Sequence, residues 1–228
     1  MKLSTLLLLF GVLLTDAVLS AASFEGTVRF KIESGKDEPV QMSYGLKNGL
    51  VRIDFQSKDG ESPAIIMDAA KQEMTMLMAE EKMYMVQPMP KPKEADASAA
   101  SAAVAVEKTG ITETIAGYVA EKYLIKSKDF TGEVWLTDKL GAFMGMGEPQ
   151  GPLGGKKGSG SGWEAALAGK DMFPLRVVDT TAKGKSAFRM EVTSIDKAAL
   201  PDSLFRAPAG WQKFDMGGMM RGLMPGGR

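Results

Sequence analysis

Residues 28–33 read VRFKIE, and Val28, Phe30 and Ile32 alternate there with charged residues. Alternation with a period of two is typical of a strand that is buried on one face and solvated on the other, as in antiparallel sheets. The same alternation recurs in LVRIDF at residues 50–55. Between them, the sequence KNG at residues 47–49 predicts a tight turn, because Asn-Gly readily adopts positive φ. These residues therefore predict a sheet built from antiparallel hairpins.

Further segments with strand character follow, and the connections are too short for βαβ crossovers. Short helices are expected at 139–144, after Asp138 as N-cap, and at 163–168. Residues 203–214 are interpreted as a closing segment that docks Leu204, Phe205 and Trp211. The fold class is mainly β: nine to eleven strands form a large curved antiparallel sheet, a half-open barrel with helices on its concave side. The other predicted strands are 40–46, 64–67, 73–78, 82–86, 112–117, 118–126, 132–137, 173–180 and 185–195.

The first 22 residues have the features of a secretory signal peptide. Lys2 precedes a short apolar core at 6–14, and Ser20-x-Ala22 supplies small residues for cleavage after Ala22. The apolar run is too short for a membrane span, and the absence of Cys leaves no residue for a lipid anchor. We expect a periplasmic or secreted protein without a transmembrane segment in the mature chain.

Composition separates one domain from its flexible parts. Residues 23–215 form a single predicted domain, interrupted by Pro/Ala/Lys-rich residues 87–107 and Gly-rich residues 145–162, and followed by a Gly/Met tail at 216–228. Such compositions are typical of flexible insertions and loose tails. The sequence GGKKGSG at 154–160 lacks the spacing of a phosphate-binding loop and is interpreted as part of a linker.

The chain contains 28 basic and 28 acidic residues, no His and no Cys. A balanced charge gives no electrostatic case for binding nucleic acid. Without His and Cys, the commonest general base, the common nucleophile pairs and the usual zinc ligands are absent. We therefore expect a non-enzymatic protein, and no cofactor is indicated.

Methionine is concentrated in QEMTMLMAEEKMYMVQPMP at residues 72–90, which contains six of the 17 methionines of the chain. Met74, Met76 and Met78 would share one face of a strand, and a turn would bring Met83 or Met85 alongside them. Thioether sulfur is a soft ligand that suits Cu(I). Methionine is also an adaptable apolar filler, and this second interpretation is favoured, so no metal ligand is assigned.

Several phrases, in this order, resemble the bacterial family DUF4412, a domain of unknown function. The resemblance extends from Phe24 to about Phe214. The phrases are Asp68, Met74-x-x-Leu77, Glu81-Lys82-x-Tyr84, Ile115-Ala116-Gly117-Tyr118, Glu121-Lys122-Tyr123, Gly132-Glu133-Val134-Trp135-Leu136-Thr137-Asp138 and Phe205-x-x-Pro208-Ala209-Gly210-Trp211.

That family is similar in architecture to the periplasmic lipoprotein carriers with a LolA/LolB-like half-barrel. The resemblance implies an apolar cavity between sheet and helices, with a lipid or another hydrophobic ligand as partner. We expect the chain to be a monomer. Two alternatives stay open: a Met-based Cu(I)-binding protein, and an envelope structural or interaction protein without a small ligand. The residues expected to line the cavity are Val28, Phe30, Ile53, Phe55, Met74, Met76, Met78, Trp135 and Phe188.

Overall fold

The computed structural model describes residues 24–35, 38–56, 64–89, 105–126, 131–146, 161–167, 169–180 and 186–214. The predicted signal peptide, the GGKKGSG stretch, the central parts of both predicted insertions and the tail lie outside these residues. The described strands form one large, open and curved sheet, as the sequence predicts. The strands are β1 Gly26–Ser34, β2 Val40–Lys47, β3 Leu50–Gln56, β4 Ala64–Asp68, β5 Glu73–Met78, β6 Met83–Pro88, β7 Ala105–Ile115, β8 Tyr118–Lys126, β9 Thr131–Thr137, β10 Phe173–Thr180, β11 Ser186–Lys197 and β12 Gln212–Lys213; one α-helix, α1 Ser161–Leu167, and one 3₁₀ helix, Asp202–Phe205, accompany them.

The strand order is β12-β6-β5-β4-β3-β2-β1-β11-β10-β9-β8-β7. Neighbouring strands are antiparallel except β12, which pairs in parallel with β6 through Gln212 and Lys213. Strand β1 joins the two halves of the sheet, because it pairs with β2 on one side and with β11 on the other. The predicted strand at 112–117 in fact begins at Ala105 and forms the far edge of the sheet.

Two tight hairpins have positive φ at both central residues, and the sequence predicts the first of them. Asn48 (φ 48°) and Gly49 (φ 77°) connect β2 to β3, and Ala116 (φ 48°) and Gly117 (φ 86°) connect β7 to β8. Positive φ at both central residues gives a turn whose twist matches that of the flanking strands. Strand β7 also contains a bulge: its register with β8 shifts between Lys108 and Thr112, around Gly110 at φ 74°.

The sheet has apolar side chains on both faces. The inner face carries the large core, which includes Phe30, Tyr44 and Phe173 and contacts α1 through Trp163. The outer face of β4 and β5 carries a smaller cluster, in which Ala64, Ile66 and Leu77 pack with Phe205. Inner and outer face are used below in this sense.

The closing segment docks on the outer face. Phe205 is buried and Trp211 packs against the same cluster, whereas Leu204 is exposed, so the prediction that Leu204 docks is wrong. Its carbonyl oxygen instead accepts a hydrogen bond from Arg52 Nη1 at 3.0 Å. At the chain end of this segment, the Phe214 N–H donates to the Tyr84 carbonyl (2.8 Å) and extends the β12–β6 pairing.

The predicted helix at 139–144 does not form. Residues 138–140 are a bend and 141–146 are irregular. Gly141 has φ 81°, which a right-handed helix does not allow. The Lys139 N–H is bonded to Thr137 Oγ1 (3.4 Å) rather than capped by Asp138. The segment packs against the inner face without regular structure, and the N–H groups of Phe143, Met144 and Met146 find partners far away in the sequence.

Candidate functional site

An apolar row crosses the inner face of six consecutive strands. Register aligns Val28 with Tyr44, Tyr44 with Ile53, Ile53 with Ile65, Ile65 with Met76, and Met76 with Met85. The members from Val28 to Ile65 are almost fully buried, and Met76 is half-buried. Below, this set is called the inner row.

Five aromatic rings fill the middle of the inner face. Phe30 stacks on Phe173 with ring centroids 6.0 Å apart. Tyr44 stacks on Phe143 at 5.3 Å, and Phe143 stacks in turn on Trp163 at 5.6 Å. Phe143 and Trp163 belong to a cover, defined here as residues 138–146 together with α1. Stacked and edge-to-face rings contribute beyond their buried area, so this contact fixes the cover to the sheet.

The backbone N–H groups of the cover make few hydrogen bonds, and the partners of these bonds are distant in sequence. The Phe143 N–H donates to the Met172 carbonyl at 3.1 Å. The Met144 N–H donates to the Tyr44 hydroxyl at 3.0 Å, and the Met146 N–H to Glu164 Oε1 at 3.3 Å. Burial raises the pKa of the Tyr44 hydroxyl above its ordinary value, so this group stays neutral. Among the described residues, Trp163 Nε1 is a buried donor without a hydrogen-bond partner.

Eight of the nine predicted lining residues lie on the inner face. Val28, Phe30 and Ile53 are fully buried under other side chains, and Phe55 packs against the same core. Met74 and Phe188 are also core residues. Met76 and Met78 follow Met74 at alternate positions of β5 and share its face. In the described structure the buried members contribute to packing rather than to the wall of an open cavity.

Trp135 belongs to the same buried cluster as the core members of this set, but its ring has charged partners. It pairs with Arg176 and Lys122 in register, and both cations lie over its ring, at 5.5 Å and 5.8 Å from the centroid. Charged partners of this kind place its indole on the outer face. Period-two alternation could not assign this side chain to one face of the sheet, because residues 134–137 are all buried and do not alternate with exposed residues.

Four members of the aromatic centre were missed by the sequence analysis as site residues: Tyr44, Phe143, Trp163 and Phe173. Tyr44 and Phe173 lie in segments predicted as strands, and their inward orientation is available from the alternation. Phe143 had no such signal, because it lies in an irregular segment whose position depends on the bonds to Met172 and Tyr44.

Two pockets among the described residues lie in different parts of the sheet. One, of about 310 Å³, is bounded by β7, β8 and β9 around Leu124 and Gly132. The other, of about 290 Å³, lies between the β2–β3 hairpin and the cover, with Leu46, Leu140 and Met144 among its walls. None of the nine predicted lining residues borders either pocket. The second pocket opens beside the cover, next to the inner row.

The outer face carries an ion-pair network around Arg176. Its guanidinium binds Glu113 (2.8 Å) and Glu191 (2.6 Å), and Arg189 also pairs with Glu191. The hydrogen bond from Arg176 lowers the pKa of the Glu113 carboxyl below its ordinary value. Burial raises the pKa of Glu191, but the hydrogen bonds from Arg176 and Arg189 outweigh it, and the net pKa is lowered.

Replacement of Arg176 by methionine should therefore make the stability of the protein depend less on pH in the acid range. A carboxyl whose pKa is lowered by folding stabilises the fold above its unfolded pKa, here 4.5, and this contribution is lost as pH falls through the folded value. We expect the Tm of the wild type to fall more steeply than that of Arg176→Met between about pH 5 and pH 3. Circular-dichroism melts across this range test the prediction. The control is Arg29→Met, which removes an exposed ion pair with Asp196. Parallel curves of Tm against pH for the wild type and Arg176→Met would contradict the prediction.

Within the described ranges, no group of three or more His, Cys, Asp or Glu could hold a metal ion. The same residues include no helix that is long and apolar enough to cross a membrane.

A family model for a domain of unknown function, DUF4412, matches residues 24–211. No curated protein sequence is significantly similar to the chain. Among solved structures, an uncharacterized conserved protein from Thermus thermophilus is similar at 14% identity and a TM-score of 0.49, over 83% of this chain and 90% of that one.

Two further solved structures are more distant in shape. The MucA/MucB complex of Pseudomonas aeruginosa matches at 14% identity and a TM-score of 0.44, over 82% of this chain and only 57% of that chain. A putative outer membrane lipoprotein-sorting protein domain from Vibrio parahaemolyticus matches at 7% identity and a TM-score of 0.30, over 78% of this chain and 87% of that one.

Proposed function

This chain belongs to the DUF4412 family, and we propose that it is a non-enzymatic protein outside the cytoplasm that binds the acyl chain of a lipid on the inner face of its sheet. The observation that carries the proposal is the inner row. It extends without a polar interruption, apart from the hydroxyl of Tyr44, from Val28 on β1 to the half-buried Met76 on β5. Sites for hydrophobic ligands are lined mainly by such apolar side chains.

Ligand entry requires the cover to move, and its construction supports such movement. Helix α1 has only seven residues, too few for stability without tertiary contacts. The remaining part, 138–146, has no regular structure. Its contact with the core consists of stacked rings, the buried Leu140 and few backbone hydrogen bonds. An acyl chain that displaces Phe143 and Trp163 would replace one set of apolar contacts by another, at little cost in buried area.

A binding role also agrees with the chemistry of the inner face. The chain has no His or Cys, and Tyr44 and Thr137, which are buried, lie outside any acid–base pair among the described residues. The proposed location outside the cytoplasm rests on the predicted signal peptide at 1–22.

Direct binding can be measured with Trp163 as reporter. In the Trp135→Phe/Trp211→Phe variant, Trp163 is the only tryptophan, because the chain contains three. Titration with a lysophospholipid or a long-chain fatty acid should change its emission and saturate, because a ligand that moves the cover takes the indole out of its stack on Phe143. Native mass spectrometry of the mature protein should show the same one-to-one complex.

Met76→Gln places an amide in the inner row and should weaken acyl-chain binding about tenfold, since burying an unpaired amide costs about 1–3 kcal/mol. Thr75→Gln, on the opposite face of β5, is the matched control and should bind as the wild type does. Absence of a saturable change with either ligand, together with no bound lipid in the mass spectra, would refute the proposed function.

A further inference from the structure

Four methionines meet on the inner face of the β5–β6 hairpin. Met76 lies directly opposite Met85, and Met78 directly opposite Met83. Directly opposed residues have Cβ atoms about 5 Å apart, and the two pairs are about 7 Å apart along the strands. Each methionine has three rotatable side-chain bonds, so four sulfurs can reach one point between the pairs. These residues are called the methionine quartet.

Packing does not account for the quartet. Met74, on the same strand, is a core residue and fits the role of apolar filler. Met76, Met78 and Met83 are only half-buried, Met85 is buried, and no member of the quartet belongs to the two apolar clusters formed by the described residues. Leucine or valine would cover such a surface equally well, so the choice of sulfur at four adjacent positions needs another reason.

The sulfurs are available as ligands. Gln87 Nε2 donates a hydrogen bond to Met85 Sδ at 3.3 Å, so this sulfur already interacts through a lone pair with a polar neighbour. Thioether sulfur is neutral and soft, and it suits Cu(I) rather than hard cations. The turn beside the quartet carries Glu80, Glu81 and Lys82, all exposed, with one net negative charge, which favours a cation nearby.

We propose that the methionine quartet binds a soft monovalent cation, Cu(I), at the end of the β5–β6 hairpin. The sequence alone favours methionine as filler; the register of the four residues and the half-burial of three of them reverse that preference for the quartet. Because a thioether has no proton to lose on binding, the affinity should be the same at about pH 5 and pH 7.5, unlike that of thiolate or imidazole sites.

The test uses the full mature chain labelled with ¹³C in every methionine methyl group, with Ag(I) as redox-inert probe and Cu(I) under anaerobic conditions against a competing chelator. Four methyl signals, those of the quartet, should shift together and saturate at one ion per chain. Met76→Leu/Met85→Leu should weaken the affinity at least tenfold without unfolding the protein, since Met and Leu have similar volumes.

Met42→Leu/Met190→Leu is the matched control, because both residues are fully buried core methionines, and its affinity should equal that of the wild type. Lack of saturable binding, binding unchanged in Met76→Leu/Met85→Leu, or shifts confined to other methionines such as those of residues 216–224 would each overturn the proposal. The titration contains no lipid, so its outcome is independent of acyl-chain binding.

Discussion

Replacing Trp163 by alanine should lower the free energy of unfolding by about 3–5 kcal/mol, the usual range for truncation of a buried tryptophan. Trp163 is fully buried and stacks on Phe143. It is the largest anchor of α1, which is too short to persist without its contacts. Without the indole, the cover should detach and expose the inner row. Urea unfolding measures the stability, and the fluorescence of a hydrophobic dye measures the exposed surface; we expect a loss of the first and a clear gain of the second.

The control for this variant is Trp163→Phe. Phenylalanine keeps a ring against Phe143 and removes an indole N–H that is buried without an acceptor among the described residues. A buried donor of this kind carries a cost of about 1–3 kcal/mol, which offsets part of the lost contact area. Trp163→Phe should therefore be much closer to the wild type than Trp163→Ala and should bind no more dye. An alanine variant with native stability and no added dye binding would show that α1 does not hold the cover.

Replacing Phe173 by alanine should have an effect of similar size, about 3–5 kcal/mol, for a different reason. Phe173 is on β10, but its ring contacts Phe30 on β1 and Tyr44 on β2, as well as Phe143 of the cover. It thus links strands of both halves of the sheet. The cavity left by the ring cannot be filled by one neighbour, since the other rings are held by each other. Chemical denaturation monitored by circular dichroism gives the stability difference.

Val119→Ala serves as control for Phe173→Ala, because Val119 is 63% exposed and surface substitutions usually change stability by less than about 0.5 kcal/mol. A Phe173→Ala variant within that same limit would contradict the role of this ring as the link between the two halves.

The strands were predictable because their alternation is local. Residues 73–78, 118–126 and 173–180 have the bounds expected from the sequence, and Asn48-Gly49 fixed the first hairpin. The register of the β5–β6 hairpin follows from its short turn, and the prediction that a turn brings Met83 or Met85 alongside the other methionines is confirmed.

The cover was not predictable, because it has no local pattern. Phe143 occupies its place through a backbone bond to Met172 and through the hydroxyl of Tyr44, which is distant in sequence. The positive φ of Gly141 is incompatible with the expected helix. The sequence alone does not reveal this conformation, because it depends on the packing of the segment against the sheet. Trp135 shows the same limit: its two cations, Lys122 and Arg176, come from neighbouring strands of the sheet.

The bulge in β7 has a consequence for the protein in concentrated solution. An open sheet presents backbone donors and acceptors at its margins, and a long regular margin can recruit the margin of another molecule into an aggregate. In β7 the register shift between Lys108 and Thr112 breaks that margin into two short pieces, too short and too twisted for continuous pairing. At the other end of the strand order, β12 occupies part of β6. The sheet can therefore stay open, without closing into a barrel, while both of its edges resist pairing with the edges of other molecules.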